Sequence, residues 1–170
     1  EAQPVPVIIC EDQTAAFAVQ AAGDQVHYQW QSSTDGTSWA DIAGANASAF
    51  TLSAATLGQD GMRFRVVLSN TCGTLTSGEA TLTVNKKVVI QTQPVSVTTC
   101  EDGTASFTVG ATGDQVTYQW QTSNGGATWT DITGATGTTL SIPATAATNG
   151  FKYRAVISST CGTLNSAEAE

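Results

Sequence analysis

Gly23-Asp-Gln-Val-His-Tyr-Gln-Trp-Gln31 returns, one residue changed, as Gly113-Asp-Gln-Val-Thr-Tyr-Gln-Trp-Gln121. Each copy is a turn signal followed by a short alternating strand. Val26, Tyr28 and Trp30 point to one side; His27, Gln29 and Gln31 point to the other. A tryptophan on the inward side of such a strand is a large apolar anchor, so Trp30 and Trp120 are the expected core anchors. The offset of 90 residues holds from Pro4/Pro94 through Trp39/Trp129. The chain is one unit written twice.

A length of 170 residues with that period predicts two small domains, residues 1–85 and 88–170. Thr and Val favour half-buried strands, Gly-Asp, Asp-Gly and Asn-Gly pairs punctuate them, and no stretch shows sustained helical periodicity. The fold class is therefore all-β. A net charge of −8 with only six Lys and Arg argues against nucleic acid and anionic membrane surfaces as partners. No apolar run approaches the roughly 20 residues that a membrane helix needs, so membrane insertion is not expected.

Taken in order, strands are predicted over residues 4–10, 14–22, 26–32, 38–42, 49–53, 62–70 and 75–84, with one helical turn in the polar connection at 54–61. Prolines suit the first of these to a sheet edge. Seven short strands in under ninety residues imply a two-sheet sandwich.

The Tyr-x-Trp third strand, the approach through Gln59-Asp-Gly61 to Phe64-Arg-Val66, and the closing hairpin resemble an immunoglobulin-like domain. Phe64 and Tyr153 stand where that family has its corner tyrosine. The core cysteines of the family are replaced by Val19 and Val66 in one copy and by Val109 and Ala155 in the other, so apolar packing must replace the inter-sheet disulfide. The motifs Val-x-x-Cys-Glu-Asp-x-Thr-Ala, Tyr-Gln-Trp-Gln, Trp-x-Asp-Ile-x-Gly-Ala and Thr-Cys-Gly-Thr-Leu resemble the tandem immunoglobulin-like repeats of large surface and secreted proteins of Bacteroidetes-type bacteria. The resemblance implies two seven-stranded sandwiches joined end to end.

The junction, residues 85–93, has neither a glycine run nor a proline-rich spacer, and Val88, Val89 and Ile90 read as strand. A stiff, rod-like connection is the expectation. The first copy begins without equivalents of Val88, Val89 and Ile90, and the second stops before equivalents of Leu82, Thr83 and Val84. A window from a longer tandem array is expected.

Four cysteines sit at matched places, Cys10 with Cys100 and Cys72 with Cys161, with neither Cys-x-x-Cys spacing nor histidine company, so zinc is not expected. Paired cysteines in small β-domains point to an extracellular compartment. In the immunoglobulin-like topology, Cys10 falls roughly 15 Å below the level of Val19 and Cys72 roughly 20 Å above that of Val66, at about 3.3 Å per residue. A disulfide needs Cα atoms within about 7 Å. The resemblance thus implies an interdomain Cys10–Cys161 bridge, with Cys72 and Cys100 pairing to neighbouring repeats. The matched spacings of 62 and 61 residues also suit Cys10–Cys72 and Cys100–Cys161, if the first strand runs differently.

No catalytic constellation is expected. His27 is outward and its counterpart is Thr117; a catalytic histidine needs a fixed partner and a pocket. Glu11-Asp12 and Glu101-Asp102 lack the oxygen-rich loop of a calcium site and read as solvated turns. No phosphate-cradling or dinucleotide loop occurs, so no cofactor is expected. Asn46-Ala-Ser48 matches a glycosylation acceptor, but its counterpart, Thr136-Gly-Thr138, does not. Trp39 and Trp129 form a candidate platform for a surface glycan or protein ligand, weighed against packing beside Ile42 and Ile132.

Three functions follow. The leading one is a non-enzymatic structural repeat of an extracellular stalk, adhesin or filament, whose partners are neighbouring repeats or copies of the same protein. The others are a carbohydrate- or protein-binding module and a spacer appended to a secreted enzyme.

Overall fold

The structure, a computed structural model, describes residues 2–170. It divides into two units, residues 1–85 and 86–170, each with its own core.

In the first unit the strands are β1 (Val7–Cys10), β2 (Ala15–Ala18), β3 (His27–Ser33), β4 (Ala40–Asp41), β5 (Ala49–Leu52), β6 (Arg63–Asn70), β7 (Gly73–Thr76) and β8 (Ala80–Asn85). One sheet runs β1-β8-β6-β3-β4, with β7 also on β6; β2 and β5 form the other. The polar connection contains one 3-10 turn, Leu57–Gln59, boxed at its start by Thr56 and Gln59. β1 lies at the sheet edge and runs parallel to β8, pairing Val7 with Leu82 and Ile9 with Val84.

Alternation places Phe17, Trp30, Phe64, Val66 and Leu82 in the core. Trp30 is fully buried, and its indole Nε1 donates to the Ala47 carbonyl at 3.0 Å, so burial leaves no orphan donor. Phe17 stacks on Phe64 with ring centres 4.6 Å apart. Val19 and Val66 are buried at the positions where the resemblance places cysteines.

One expectation needs correction. Residues 75–84 do not form a single strand. The chain breaks at Ser77–Glu79, and β7 and β8 pair with successive stretches of β6. At the break, the Ser77 hydroxyl accepts the Val66 N–H at 2.9 Å, a ladder bond the backbone would otherwise supply.

The second unit comprises β9 (Val89–Thr92), β10 (Thr104–Thr108), β11 (Gly110–Thr112), β12 (Thr117–Asn124), β13 (Thr130–Asp131), β14 (Thr139–Pro143), β15 (Phe151–Ser159) and β16 (Gly162–Asn165). Its main sheet is β13-β12-β15-β16; β10 pairs with β14 and β9 with β11. Trp120 is fully buried and donates to the Gly137 carbonyl at 2.9 Å. Ser166 repeats the role of Ser77, accepting the Ala155 N–H at 2.8 Å.

Candidate functional site

The outward face of β3, β4 and β6 carries a polar-aromatic network that the second unit repeats. In the first unit, the Asp41 carboxylate accepts from Gln31 Nε2 at 2.7 Å. Gln31 Oε1 in turn accepts from Arg65 Nε at 2.8 Å. The Arg65 guanidinium lies 4.1 Å from the centre of the Trp39 ring. In the second unit, Asp131, Gln121, Arg154 and Trp129 make the same contacts at 2.8, 2.9 and 4.2 Å.

Register explains the geometry. Gln31 pairs with Asp41 on one side and with Arg65 on the other, so the three side chains form a row across the sheet. A second glutamine fixes the neighbouring corner: Gln29 Nε2 donates to the carbonyls of Trp30 and Ile42, both at 2.9 Å. Gln119 does the same at Trp120 and Ile132.

Trp39 and Trp129 are half-buried, each with an arginine guanidinium over its ring. The sequence leaves two readings for them, a binding platform and packing beside Ile42 and Ile132, and neither singles out Arg65 or Arg154. The signal was available, because Gln31, Asp41 and Trp39 all have identical counterparts. Arg65 and Arg154, however, lie 89 residues apart, not 90, which hides the match.

The other singled-out residues do not join this face into a reactive group. His27 is exposed. Asp12 and Asp102 sit in turns with φ of 65° and 66°, a left-handed conformation that aspartate tolerates. Among the described residues, no group of three or more His, Cys, Asp or Glu side chains could hold a metal ion. Among the same residues, no helix is long and apolar enough to cross a membrane. Cys10 and Cys161 are each disulfide-bonded, whereas Cys72 and Cys100 are exposed free thiols. Neither Cys10–Cys72 nor Cys100–Cys161 is therefore made.

One feature distinguishes the copies. Asp35 accepts from the Thr37 and Ser38 amides at 2.7 Å and from the Ser33 hydroxyl at 3.0 Å. The backbone bonds from Ser38 and Thr37, then the serine hydroxyls, hold its carboxyl well below the usual carboxylate range. The second unit has Gly125 there.

Sandwich topology and a twice-built sheet face define a tandem immunoglobulin-like protein. The chain belongs to the family described as Domain of unknown function (DUF8696), whose model matches residues 6–86 and again 90–170. It is 35% identical over 171 residues to Endoglucanase C of Cellulomonas fimi, covering 99% of this chain and 15% of that protein. It is 32% identical over 120 residues to the Highly immunogenic outer capsid protein of Enterobacteria phage T4, covering 64% of this chain and 30% of that one. The chain thus spans less than a third of the length of these curated relatives. Among solved structures, the I67-I69 fragment of titin matches with a TM-score of 0.67 at 15% identity, over 98% of this chain and 62% of that one. The N-terminal four Ig domains of Dscam1 isoform 6.9 match with a TM-score of 0.58 at 18% identity, over 98% and 42%. These likenesses show the fold.

Proposed function

We propose that this chain is a non-catalytic structural repeat of a larger extracellular protein, serving as a spacer or stalk segment. The observation that carries this reading is that the repeated surface network is spent on itself. Asp41, Gln31, Arg65 and Trp39 bond to one another, as do Asp131, Gln121, Arg154 and Trp129. Recognition and catalytic sites instead keep converging groups unspent for a ligand. A surface protein of the Bacteroidetes adhesin kind and a secreted polysaccharide-degrading enzyme are both settings for such a repeat. The match to a small part of an endoglucanase favours the second, and the match to an outer capsid protein supports external display.

In this reading Cys10 pairs with Cys161 and stiffens the junction, while Cys72 and Cys100 pair with neighbouring copies. The test is mild oxidation of the concentrated chain, followed by non-reducing electrophoresis and peptide mapping. A Cys10–Cys161 peptide in the monomer and Cys72–Cys100 peptides in a ladder of multimers are expected. Monomers alone, or retention of the chain on polysaccharide that Trp39→Ala abolishes, would overturn it.

A further inference from the structure

The two-stranded sheet of the first unit has one bare edge. β5 pairs with β2 alone, matching Ala15 to Leu52, Ala16 to Thr51, Phe17 to Phe50 and Ala18 to Ala49. Just above them, the Val19 N–H donates to the Ser48 carbonyl at 2.9 Å. Val19/Ser48, Phe17/Phe50 and Ala15/Leu52 are therefore the bonded pairs of this antiparallel ladder. The N–H and C=O groups of Ala49 and Thr51 point away from β2, and Ser53 is next in that alternation. All three residues are exposed.

The bare edge is made inside the unit. Residues 43–48, which lead from β4 into β5, form no strand. They are drawn to the core instead: the Ala45 carbonyl accepts the Trp30 N–H, and the Ala47 carbonyl accepts its indole Nε1, both at 3.0 Å. Open edges are commonly guarded by charged side chains or proline. Here no residue between Asp41 and Asp60 is charged, in a chain of net charge −8, and none is proline. The second unit repeats the arrangement with a guard in place. Its β14 pairs with β10 alone, but Pro143 stands where the first unit has Ser53, and so removes a donor from the edge.

The first unit's edge is complementary to itself. A two-fold axis normal to the sheet at Thr51 sets Thr51 against Thr51 of a second copy, and Ala49 against Ser53. Those are the residues whose backbone groups face outward, so each pair can exchange N–H···O=C bonds. The same register sets Phe50 against Leu52 on the inner side. Both are half-buried and pack at the margin of the core. On the solvent side only Ala, Thr and Ser meet, without bulk or like charge.

We propose that β5 is a lateral docking edge for a second copy of this chain. The two β5 strands pair antiparallel about Thr51 and join the sheets of two copies in the order β2-β5-β5-β2. Main-chain pairing supplies the affinity, and Phe50 against Leu52 fixes the register. The strand is short, so the contact is weak between single chains and gains strength where many copies stand side by side. Such lateral pairing is independent of the spacer reading, in which units follow one another along the chain.

The test uses the full chain with Cys72 and Cys100 both replaced by serine, so that neither thiol can link copies. Sedimentation and amide exchange are followed as the concentration rises from about 10 µM to about 1 mM. A reversible dimer is expected, with exchange at Ala49, Thr51 and Ser53 slowing about fivefold or more. Thr51→Lys sets two like charges opposite each other on the solvent side and should weaken dimerisation about fivefold. Ser53→Pro copies the residue that the second unit already carries at this place, and should weaken it comparably. A chain that stays monomeric over the whole range overturns the proposal. So does a dimer that neither substitution weakens, or one that leaves exchange at the three edge residues unchanged.

Discussion

The guanidinium of Arg65 covers the ring of Trp39 at 4.1 Å, on the outward face of β3, β4 and β6. Arg65→Ala should expose that ring. The expected outcome is stronger quenching of Trp39 fluorescence by a soluble quencher and a loss of about 0.5–1 kcal/mol in chemical denaturation, the range for exposed cation–π pairs. Unchanged quenching would mean that arginine does not shield the indole.

Trp30 fills the centre of the first core and satisfies its own N–H. Trp30→Ala should cost about 3–5 kcal/mol, because neighbouring Phe17 and Phe50 cannot close the cavity. Equilibrium unfolding in denaturant checks this. Trp30→Phe should cost less while still losing the bond to the Ala47 carbonyl.

Ser166 is buried, accepts from Ala155 N–H and donates to the Ala167 carbonyl, both at 2.8 Å. Ser166→Ala leaves a buried backbone donor without a partner. A loss of about 1–3 kcal/mol is expected in the same unfolding experiment. Ser166→Thr retains the hydroxyl and should recover part of it.

Asp35 supplies a pH signature confined to the first unit. Its folded-state pKa is depressed below the ordinary 3.8 by amide and hydroxyl donors. The stability it contributes is therefore full above the ordinary carboxylate range and is lost as pH falls through the folded value. Asp35→Asn should remove that dependence, so the stability gap between variant and parent should narrow on acidification. A carboxyl resonance titrating at 3.8 or above would contradict the assignment.

Much of this was written in the residues themselves. Val26-x-Tyr28-x-Trp30 alternates cleanly, and its inward and outward sides are those of the folded strand. The break at Ser77–Glu79 was read through, because Thr74-Leu-Thr76 and Ala80-Thr-Leu82 both alternate, although the Ser77-Gly78 pair between them is a turn signal. It is imposed by a tertiary bond, the serine hydroxyl on Val66 N–H. Arg65 was illegible as the partner of Trp39 for a related reason. The two are 26 positions apart, and only the register of β6 on β3 brings them together. The bonded state of Cys10 and Cys161 likewise depends on folded geometry, since spacing alone suited two schemes.

The serine that interrupts each last strand has a consequence for how the sheet answers to sliding. Where hairpin strands meet only through backbone groups, a slip of one residue costs few hydrogen bonds but turns every side chain over. Here such a slip would pull the hydroxyl of Ser77 away from Val66 and swing Phe64, Val66 and Leu68 toward water. The hydroxyl acts as a peg in a single hole, holding the alternation of β6 in phase. Under a pulling load, β6 and β7 must shear that peg before they can creep past one another.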